Sequence, residues 1–324
     1  MYDMIIVGGG AAGLSAAMYA LAKDLDVVLV YNDLGGKVGW HPVGPGVAHH
    51  SADERRRAER DRPDLSSEGL MRVLVEHTTE QPRRIVHDHA AFIERGIDVF
   101  RVETAAHGVL EGRTVIIATG ATPMPLEVPG AERFVLHGLG YSIRTYTQQV
   151  RGTSVAVIGT TLRALRGAVE LAHVAERVYL IAPAADALAT PLGQALRQHP
   201  RVELLPHTHV TELGGIDRLE EVVVEQAGYA RRLGVQYAFV DLGLLPNSHA
   251  VLGLGVTNNG VIMVDRTQAT AVPGLFAAGD VTSAPGEQVL VAIGDGARAA
   301  MSAYDYLLAH GFAAAIHAHG DAAA

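Results

Sequence analysis

Three glycines close to the start of the chain, Gly8, Gly10 and Gly13, have the spacing G-x-G-x-x-G directly after the apolar segment MIIV (4–7). In such a turn the first glycine allows a tight bend, the second lets the backbone approach a diphosphate, and the third lets the next helix pack closely on the strand. The start of that helix presents unpaired backbone N–H groups, which attract phosphate oxygens. The spacing predicts a dinucleotide site formed by Gly8, Gly10, Ala11, Ala12 and Gly13.

A second turn of the same layout, VAVIGTTLRALRGAVELA (155–172), follows about 150 residues later. Gly159 and Ala164 keep the outer positions, but Thr161 places a β-branched side chain where a diphosphate would approach. The added bulk costs on the order of 1–3 kcal/mol, or tenfold to hundredfold in affinity. This copy is predicted to bind a nicotinamide dinucleotide weakly.

The residues after the next predicted strand, which ends at Ile181, give a second argument against NADPH. A 2′-phosphate needs basic side chains there, whereas the chain continues as APAAD (182–186) and has no Arg or Lys before Arg197. Arg163 and Arg166, in the first turns of the predicted helix, either face solvent or compensate only in part. Binding of NADPH is disfavoured, and binding of NADH is disfavoured slightly less.

The elements that must position these turns are short apolar segments alternating with helical patterns. That alternation predicts an α/β fold with two Rossmann-like, doubly wound dinucleotide-binding domains, the second inserted into the first. The first domain is expected to be discontinuous, 1–149 and 246–324, and the inserted domain to cover 150–245. Segment 201–225 is expected to form a small antiparallel meander. The predicted strands are MIIV (4–7), VVLV (27–30), TVIIA (114–118), SVAVI (154–158), RVYLI (177–181), AFV (238–240) and LFAA (275–278).

An acidic residue about 20 residues after the glycine loop would bind ribose hydroxyls. The second predicted strand ends at Val30, and the last strand position carries no acid. Asn32 or Asp33 is therefore expected to take that part.

Three longer segments decide which dinucleotide is expected: LGGKVGW (34–40), IIATGATPMPLEVPG (116–130) and the glycine-rich segment 274–300. Together they resemble low-molecular-weight thioredoxin reductases and the related ferredoxin and flavodoxin reductases, over nearly the whole chain. The resemblance implies FAD in the first domain, with Gly279 and Asp280 beside the ribityl phosphate. It also implies that the start of the last helix meets the isoalloxazine, where a helix N-terminus favours negative charge. The further contacts it implies are Gly36, Ala118, Thr119, Gly120, Glu287, Gln288 and Val289.

Two positions depart from the family pattern. Lys37 replaces a glutamine after the double glycine, and near the flavin its charge would favour the reduced anion; the alternative is that it points to solvent. His41 lies in a loop that normally offers an asparagine to the flavin. It either supplies this polar contact or is a surface residue.

The chain contains no cysteine. The two positions that carry C-x-x-C in thioredoxin reductases fall on Ser142 and Thr145, with Tyr146 in place of a catalytic acid. Because hydroxyl groups cannot form a disulfide, the chain is not expected to reduce thioredoxin. Tyr141, Ser142, Thr145 and Tyr146 are candidates to face the flavin; the alternative is that the large side chains only pack the interdomain surface.

Composition narrows the expected partners. A formal net charge of −9, spread along the chain, argues against nucleic acid and anionic membrane. The first residues lack a signal-peptide pattern, which predicts a cytoplasmic location. The resemblance implies a homodimer. The pairs at 49–50, 87–89, 207–209 and 317–319 are the histidine candidates for a metal, but no third ligand accompanies them and no metal is predicted.

The sequence thus predicts an FAD-containing oxidoreductase without disulfide chemistry and without NADPH as its donor. Its electrons would be exchanged with ferredoxin, flavodoxin or a small molecule. One alternative is an NAD(P)H-dependent flavin oxidoreductase, which needs no C-x-x-C. Another is a non-catalytic flavin-binding module.

Overall fold

The protein is described by a computed structural model. It covers residues 1–36, 73–76, 78, 85–141, 149–284 and 286–320, with only the backbone of 312–320. Among these residues, no helix combines the length and the apolar composition needed to cross a membrane.

The described part of the chain contains both strands and helices. The strands are β1 (Tyr2–Val7), β2 (Val27–Tyr31), β3 (Ile85–His87), β4 (Ala90–Arg95), β5 (Phe100–Thr104), β6 (Gly108–Ile117), β7 (Ala121–Pro123), β8 (Leu139–Gly140), β9 (Ser154–Ile158), β10 (Arg177–Ala182), β11 (Val202–Pro206), β12 (Thr208–Gly214), β13 (Glu221–Gln226), β14 (Tyr229–Gly234), β15 (Tyr237–Val240), β16 (Leu244–Pro246), β17 (Thr257–Asn258), β18 (Val261–Ile262) and β19 (Leu275–Ala277). The α-helices are α1 (Ala11–Leu21), α2 (Ala131–Phe134), α3 (Leu162–Ala172), α4 (Pro191–Gln198) and α5 (Val289–Gly320), and 3-10 turns cover Asp186–Ala189 and His249–Leu254.

The first compact unit consists of the described residues up to Thr122 and from Pro246 onward. Its main sheet has the order β3-β2-β1-β6-β5-β4, with β19 parallel to β6. Side chains of β1 alternate between two cores: Met4 and Ile6 pack with α1 and α5, whereas Ile5 and Val7 pack on the opposite face. A strand buried on both faces is typical of a parallel sheet in this fold class.

The second unit, Pro123–Leu245, has a five-stranded parallel sheet in the order β11-β10-β9-β15-β8. Strand β9 is again buried on both faces, with Val155 and Val157 in one core and Ala156 and Ile158 in the other. A separate antiparallel sheet has the order β12-β13-β14. The mixed α/β class with two Rossmann-like units is confirmed.

One local expectation differs from the structure. The segment VELL, expected in the meander, forms β11 and pairs in parallel with β10, so the antiparallel sheet begins only at β12. The contact division between the units falls after Thr122 and before Pro246, and Phe134 and Leu139 are buried in the core of the second unit.

Candidate functional site

The first glycine loop connects β1 to α1 and has the backbone shape that its three glycines predict. Gly8 has a φ of +119°, and a Cβ on it would lie 2.2 Å from the Ala118 carbonyl oxygen. A Cβ on Gly13 would lie 1.8 Å from the Gly8 carbonyl oxygen, so helix and turn are in direct contact. At Gly10, by contrast, no described heavy atom lies within 4 Å of the position of an added Cβ.

The start of α1 is open for an anion. Gly10 is its N-cap residue, and within the described residues no side chain caps this end. The first turn, which includes Ala11 and Ala12, carries no acidic residue that would repel a phosphate. Open space in front of Gly10 and an uncapped helix N-terminus are the two features that a diphosphate needs, so this loop fits the diphosphate of a dinucleotide.

The residues after β2 lie directly against this loop. The Gly35 N–H donates to the Gly9 carbonyl at 2.9 Å, and a Cβ on Gly36 would lie 3.1 Å from the Gly10 Cα. The exposed Asn32 and Asp33 are joined through Nδ2 and Oδ2 at 3.1 Å. An acceptor and a donor at the end of β2 suit ribose hydroxyls, as the sequence predicts, although no contact with a ligand tests their role.

A clasp holds the segment after β6 beside the loop. The Ala118 N–H donates to the Val7 carbonyl at 2.7 Å, and the Thr119 hydroxyl donates to the Asn247 carbonyl at 2.6 Å. Asn247 returns two bonds, from Nδ2 to the Thr119 carbonyl and from its N–H to the Gly120 carbonyl, each at 3.0 Å. Sequence reasoning missed Asn247, because no motif surrounds it and its partners are 127 and 128 residues away.

Gly279 and Asp280 reach the same end of α1. Gly279 has a φ of +75°, and a Cβ on it would lie 3.2 Å from the Ala12 Cβ. Its carbonyl accepts from the N–H and the hydroxyl of Thr282 at 2.9 and 2.8 Å. Asp280 is half-buried. The predicted pair therefore lies next to the glycine loop, although these residues are far apart in sequence.

The long helix α5 crosses α1 at close range. A Cβ on Gly296 would lie 2.0 Å from the Ala12 carbonyl oxygen, and the Ser15 hydroxyl donates to the Ile293 carbonyl at 2.8 Å. Glu287 and Gln288, immediately before α5, are exposed, and Val289 packs against the core shared with α1. The positive end of the α5 dipole therefore lies on the same unit as the glycine loop.

Asp295, on α5, is a buried carboxyl that sequence reasoning missed. Burial raises its pKa, while Arg298 and a hydrogen bond from the Gly279 backbone act in the opposite direction. Its Oδ1 accepts from Nε2 of Gln268 at 3.0 Å. Asp295 thus holds the Gly279 turn through a hydrogen bond with the Gly279 backbone.

The second glycine loop connects β9 to α3 and differs at the helix start. Gly159 keeps the strained backbone of the motif, with a φ of +131° and a Cβ position 1.9 Å from the Asp241 carbonyl oxygen. Thr161 is the N-cap residue of α3, and its hydroxyl accepts from the Ala164 N–H at 3.0 Å. This side chain takes one of the backbone donors that a phosphate would use.

Arg163, near the same loop, forms an ion pair with Asp241. Its Nε and Nη2 donate to the two carboxylate oxygens of Asp241 at 2.5 and 2.7 Å, and the Asp241 side chain is only 6% exposed. Arg166 is exposed. The residues directly after β10, 183–196, include no Arg or Lys, and Asp186 among them is exposed.

Five predicted site residues, Lys37, His41, Ser142, Thr145 and Tyr146, lie outside the described residues. Tyr141 is half-buried, its hydroxyl accepts from the Leu126 N–H at 3.2 Å, and it packs against the core of the second unit. These contacts explain its position without a flavin, so a flavin-facing role stays a prediction. Within the described ranges, no cluster of three His, Asp or Glu side chains could hold a metal ion.

Comparison with known proteins identifies the family. The model of the family "Pyridine nucleotide-disulphide oxidoreductase" matches residues 2–296. One of the alkyl hydroperoxide reductase subunits of Staphylococcus epidermidis is 31% identical over 312 residues, and NADH dehydrogenase of Bacillus subtilis is 31% identical over 311 residues. Each match covers 95% of this chain but only 59% of the relative, so the chain spans about three fifths of their length.

Solved structures support the fold. Thioredoxin reductase from Streptococcus pyogenes is 27% identical, with a TM-score of 0.72 over 95% of this chain and 99% of that chain. Thioredoxin reductase from Giardia duodenalis, at 22% identity, has a TM-score of 0.75 over 95% of this chain and 99% of that chain. The second likeness concerns the fold alone.

Proposed function

This chain belongs to the pyridine nucleotide-disulphide oxidoreductase family, and from this premise we propose that it is an FAD-dependent oxidoreductase that does not use NADPH as its donor. It would exchange electrons with a redox protein such as ferredoxin or flavodoxin, or with a small molecule. The observation that carries the proposal is the contrast between its two helix starts: α1 is uncapped behind an open Gly10, whereas α3 is capped by Thr161.

The chain's own residues would hold FAD as follows. The N–H groups at the start of α1 bind the diphosphate, and Asn32 or Asp33 binds ribose hydroxyls. The Thr119–Asn247 clasp keeps the segment 118–120 in place, and Gly279 allows the chain to pass close to α1. When bound, FAD supplies the electron-transfer chemistry that none of these side chains can perform. Glu287 and Gln288 lie immediately before the start of α5, and the N-terminus of this helix favours negative charge in its vicinity.

The chain itself has no cysteine, so any dithiol step would have to be carried out by another polypeptide or by a segment beyond this sequence. The curated relatives are longer than this chain, and the activities in their names are those of the whole proteins. Transfer of electrons to a separate partner is consistent with both facts. Formation of a homodimer and a cytoplasmic location remain predictions from the sequence.

A second candidate is a flavin oxidoreductase that accepts electrons from NADH. The segment 183–196 after β10 has no Arg or Lys, which disfavours a 2′-phosphate but does not disfavour the free 2′-hydroxyl of NADH. A relative with 31% identity is named NADH dehydrogenase. Against this candidate, Thr161 obstructs the diphosphate of NADH as much as that of NADPH.

Anaerobic stopped-flow mixing of the FAD-loaded chain with NADPH and with NADH separates the candidates. We expect the visible absorbance of the oxidised flavin to bleach slowly and without saturation for both. Rapid, saturable bleaching by NADH alone would establish the second candidate, and rapid bleaching by NADPH would refute the first. A chain that stays colourless after reconstitution with FAD would refute both.

A further inference from the structure

Two histidines that are distant in sequence face each other on the first unit. Nε2 of His89 lies 2.9 Å from Nε2 of His249, although 160 residues separate them. Their ring centroids are 4.8 Å apart and their planes differ by 15°. Both residues are exposed, so a dissolved ion can reach them.

This pair is not one of the histidine pairs that the sequence singled out. His87, two residues before His89, has other partners: its ring stacks on Tyr31 at 5.2 Å, and its Nε2 lies 2.9 Å from the Asn32 carbonyl oxygen. The motif H-x-H at 87–89 therefore does not converge on one ion. The fold instead brings the second histidine of that motif to His249.

The backbone that carries His89 is held by a buried carboxylate. Oδ1 of Asp88 accepts from the His89 N–H at 2.7 Å, and Oδ2 accepts from the N–H of Ala106 and the N–H of His107, each at 2.9 Å. Nδ1 of His107 lies 2.6 Å from the same Oδ2. The turn before β4 is therefore fixed by the hydrogen bonds of one buried side chain.

The backbone that carries His249 is fixed as well. His249 begins the 3-10 turn His249–Leu254, and the hydroxyl of the preceding Ser248, which is buried, donates to the Gly260 carbonyl at 2.5 Å. The residue before that, Asn247, is part of the clasp with Thr119. Two rigid supports lower the entropy that the imidazoles lose when they converge on one ion.

The distance between the two nitrogens selects a coordination geometry. Imidazole nitrogens bind divalent transition metals at about 2.0–2.1 Å. Two such bonds at a right angle separate the nitrogens by about 2.9 Å, whereas a tetrahedral angle requires about 3.3 Å. The right angle is that of square-planar or tetragonal Cu²⁺ and Ni²⁺ with nitrogen and oxygen ligands.

We propose that His89 and His249 form a two-histidine site for a divalent metal of tetragonal geometry, Cu²⁺ or Ni²⁺, whose remaining positions are filled by water. The site is distinct from the dinucleotide loop and does not depend on the proposed function. With only two protein ligands it binds more weakly than a closed structural site.

The test is calorimetric titration of the FAD-loaded chain, without a histidine tag, with CuCl₂, NiCl₂ and ZnCl₂. The variants are His89→Gln and His249→Gln, which keep a polar side chain of similar size. His209→Gln, which changes an exposed histidine on β12 of the second unit, is the matched control. We expect each of the first two variants to bind Cu²⁺ at least about tenfold more weakly at one site, and the control to bind it as the unchanged chain does.

Electron paramagnetic resonance of the Cu²⁺-loaded chain gives a second readout. We expect superhyperfine splitting from two nitrogen ligands, reduced to one nitrogen in His249→Gln. Equal Cu²⁺ affinity in the unchanged chain and in both site variants would overturn the proposal and leave only an N–H···N hydrogen bond between the rings. An equal loss in the His209 control would overturn it too. Circular dichroism of each variant establishes that it is folded.

Discussion

At the start of α1 the space in front of Gly10 is open, whereas at the start of α3 Thr161 caps the helix and Arg163 is bound to Asp241. Both loops nevertheless keep the same strained glycine, Gly8 or Gly159, whose missing Cβ makes room for a carbonyl oxygen from the neighbouring strand. The turn of a Rossmann-like unit can therefore keep its backbone shape when a side chain occupies the place of the anion. A glycine at the first position of the motif therefore indicates the fold. The residue at the second position indicates whether a diphosphate can bind.

The largest expected effect follows from Gly13→Ala. A Cβ there would lie 1.8 Å from the Gly8 carbonyl oxygen, a backbone atom that cannot move alone. We expect the free energy of unfolding to fall by about 3 kcal/mol, the upper end of the cost of overpacking. The second loop already has Ala164 at this position. The change therefore also tests whether α1 lies closer to its own turn than α3 lies to its own. Urea unfolding of the FAD-free chain measures it.

Gly234→Ala is the matched control, since no described heavy atom lies within 4 Å of an added Cβ at that position in β14. Its unfolding free energy should stay within about 0.5 kcal/mol of the unchanged chain. Equal unfolding free energies of Gly13→Ala and Gly234→Ala would show that α1 does not pack directly against the Gly8 carbonyl group.

The next effect concerns the ion pair of the second loop. In Arg163→Ala, the carboxylate of Asp241, only 6% exposed, loses two charged hydrogen bonds. We expect a loss of about 1–3 kcal/mol in unfolding free energy, because a buried acceptor is left without its donor. Arg166→Ala, three residues along α3 and exposed, should be nearly neutral. If the two variants were equally stable, Arg163 would be a surface residue as the sequence suggested.

Exchanging the second positions tests the comparison directly. Gly10→Thr introduces the side chain that obstructs the second loop, and we expect FAD affinity to fall tenfold to hundredfold, or about 1–3 kcal/mol. The stability of the FAD-free chain should not fall, because the new hydroxyl can cap α1. Fluorescence titration of the FAD-free chain with FAD measures the affinity.

Thr161→Gly serves as the counterpart and should leave FAD affinity unchanged. A Gly10→Thr chain that binds FAD normally would show that the diphosphate does not approach this loop. A loss of FAD affinity in Thr161→Gly would indicate that FAD binds to the second unit and not to the first.

The smallest effect concerns the carboxyl behind the first loop. Because the pKa of Asp295 is raised by burial, the fold favours its protonated form, whose contribution is complete below about pH 3.8 and is lost as the pH rises through the folded-state pKa. In Asp295→Asn this loss disappears, so the stability of the variant relative to the unchanged chain should rise with pH. Urea unfolding between about pH 4 and 7 measures the trend.

Asp265→Asn provides a control of opposite sign. Its pKa is lowered, mainly by a hydrogen bond from the Thr267 hydroxyl, so its contribution is complete well above about pH 3.8 and is lost as the pH falls through the folded-state pKa. Urea unfolding of this variant is therefore measured below about pH 5. The stability of this variant relative to the unchanged chain should therefore decrease as the pH rises. Parallel trends in the two variants would contradict the assignment of Asp295.

Much of the fold could be predicted from the sequence because it depends on local pattern. The segments MIIV and SVAVI form β1 and β9, each buried on both faces, and the two glycine loops follow them directly. The exception is VELL, which pairs with β10 rather than β12. A segment of four residues with three apolar side chains suits either sheet, and its pattern alone does not show which strand it pairs with.

The site was predictable only where a motif carried it. The loop 8–13 and the pair Gly279–Asp280 have local signatures, and the structure places them together. Asn247 and Asp295 have none: each acts through polar contacts with a backbone or side chain distant in sequence. Arg163 was expected to face solvent or to compensate in part, because its partner Asp241 lies 78 residues further along the chain. Such pairings follow from strand order, which spacing along one sequence does not show.

The interruption of the first unit has a consequence for biosynthesis. When residue 245 has left the ribosome, every strand and helix of the second unit has been made, whereas the first unit still lacks β19, α5 and the Asn247 that holds Thr119. The chain that is translated first therefore completes its domain last. During that interval the edge of β6 that β19 later covers stays unpaired, and an unpaired strand edge is a site at which other chains can add a strand.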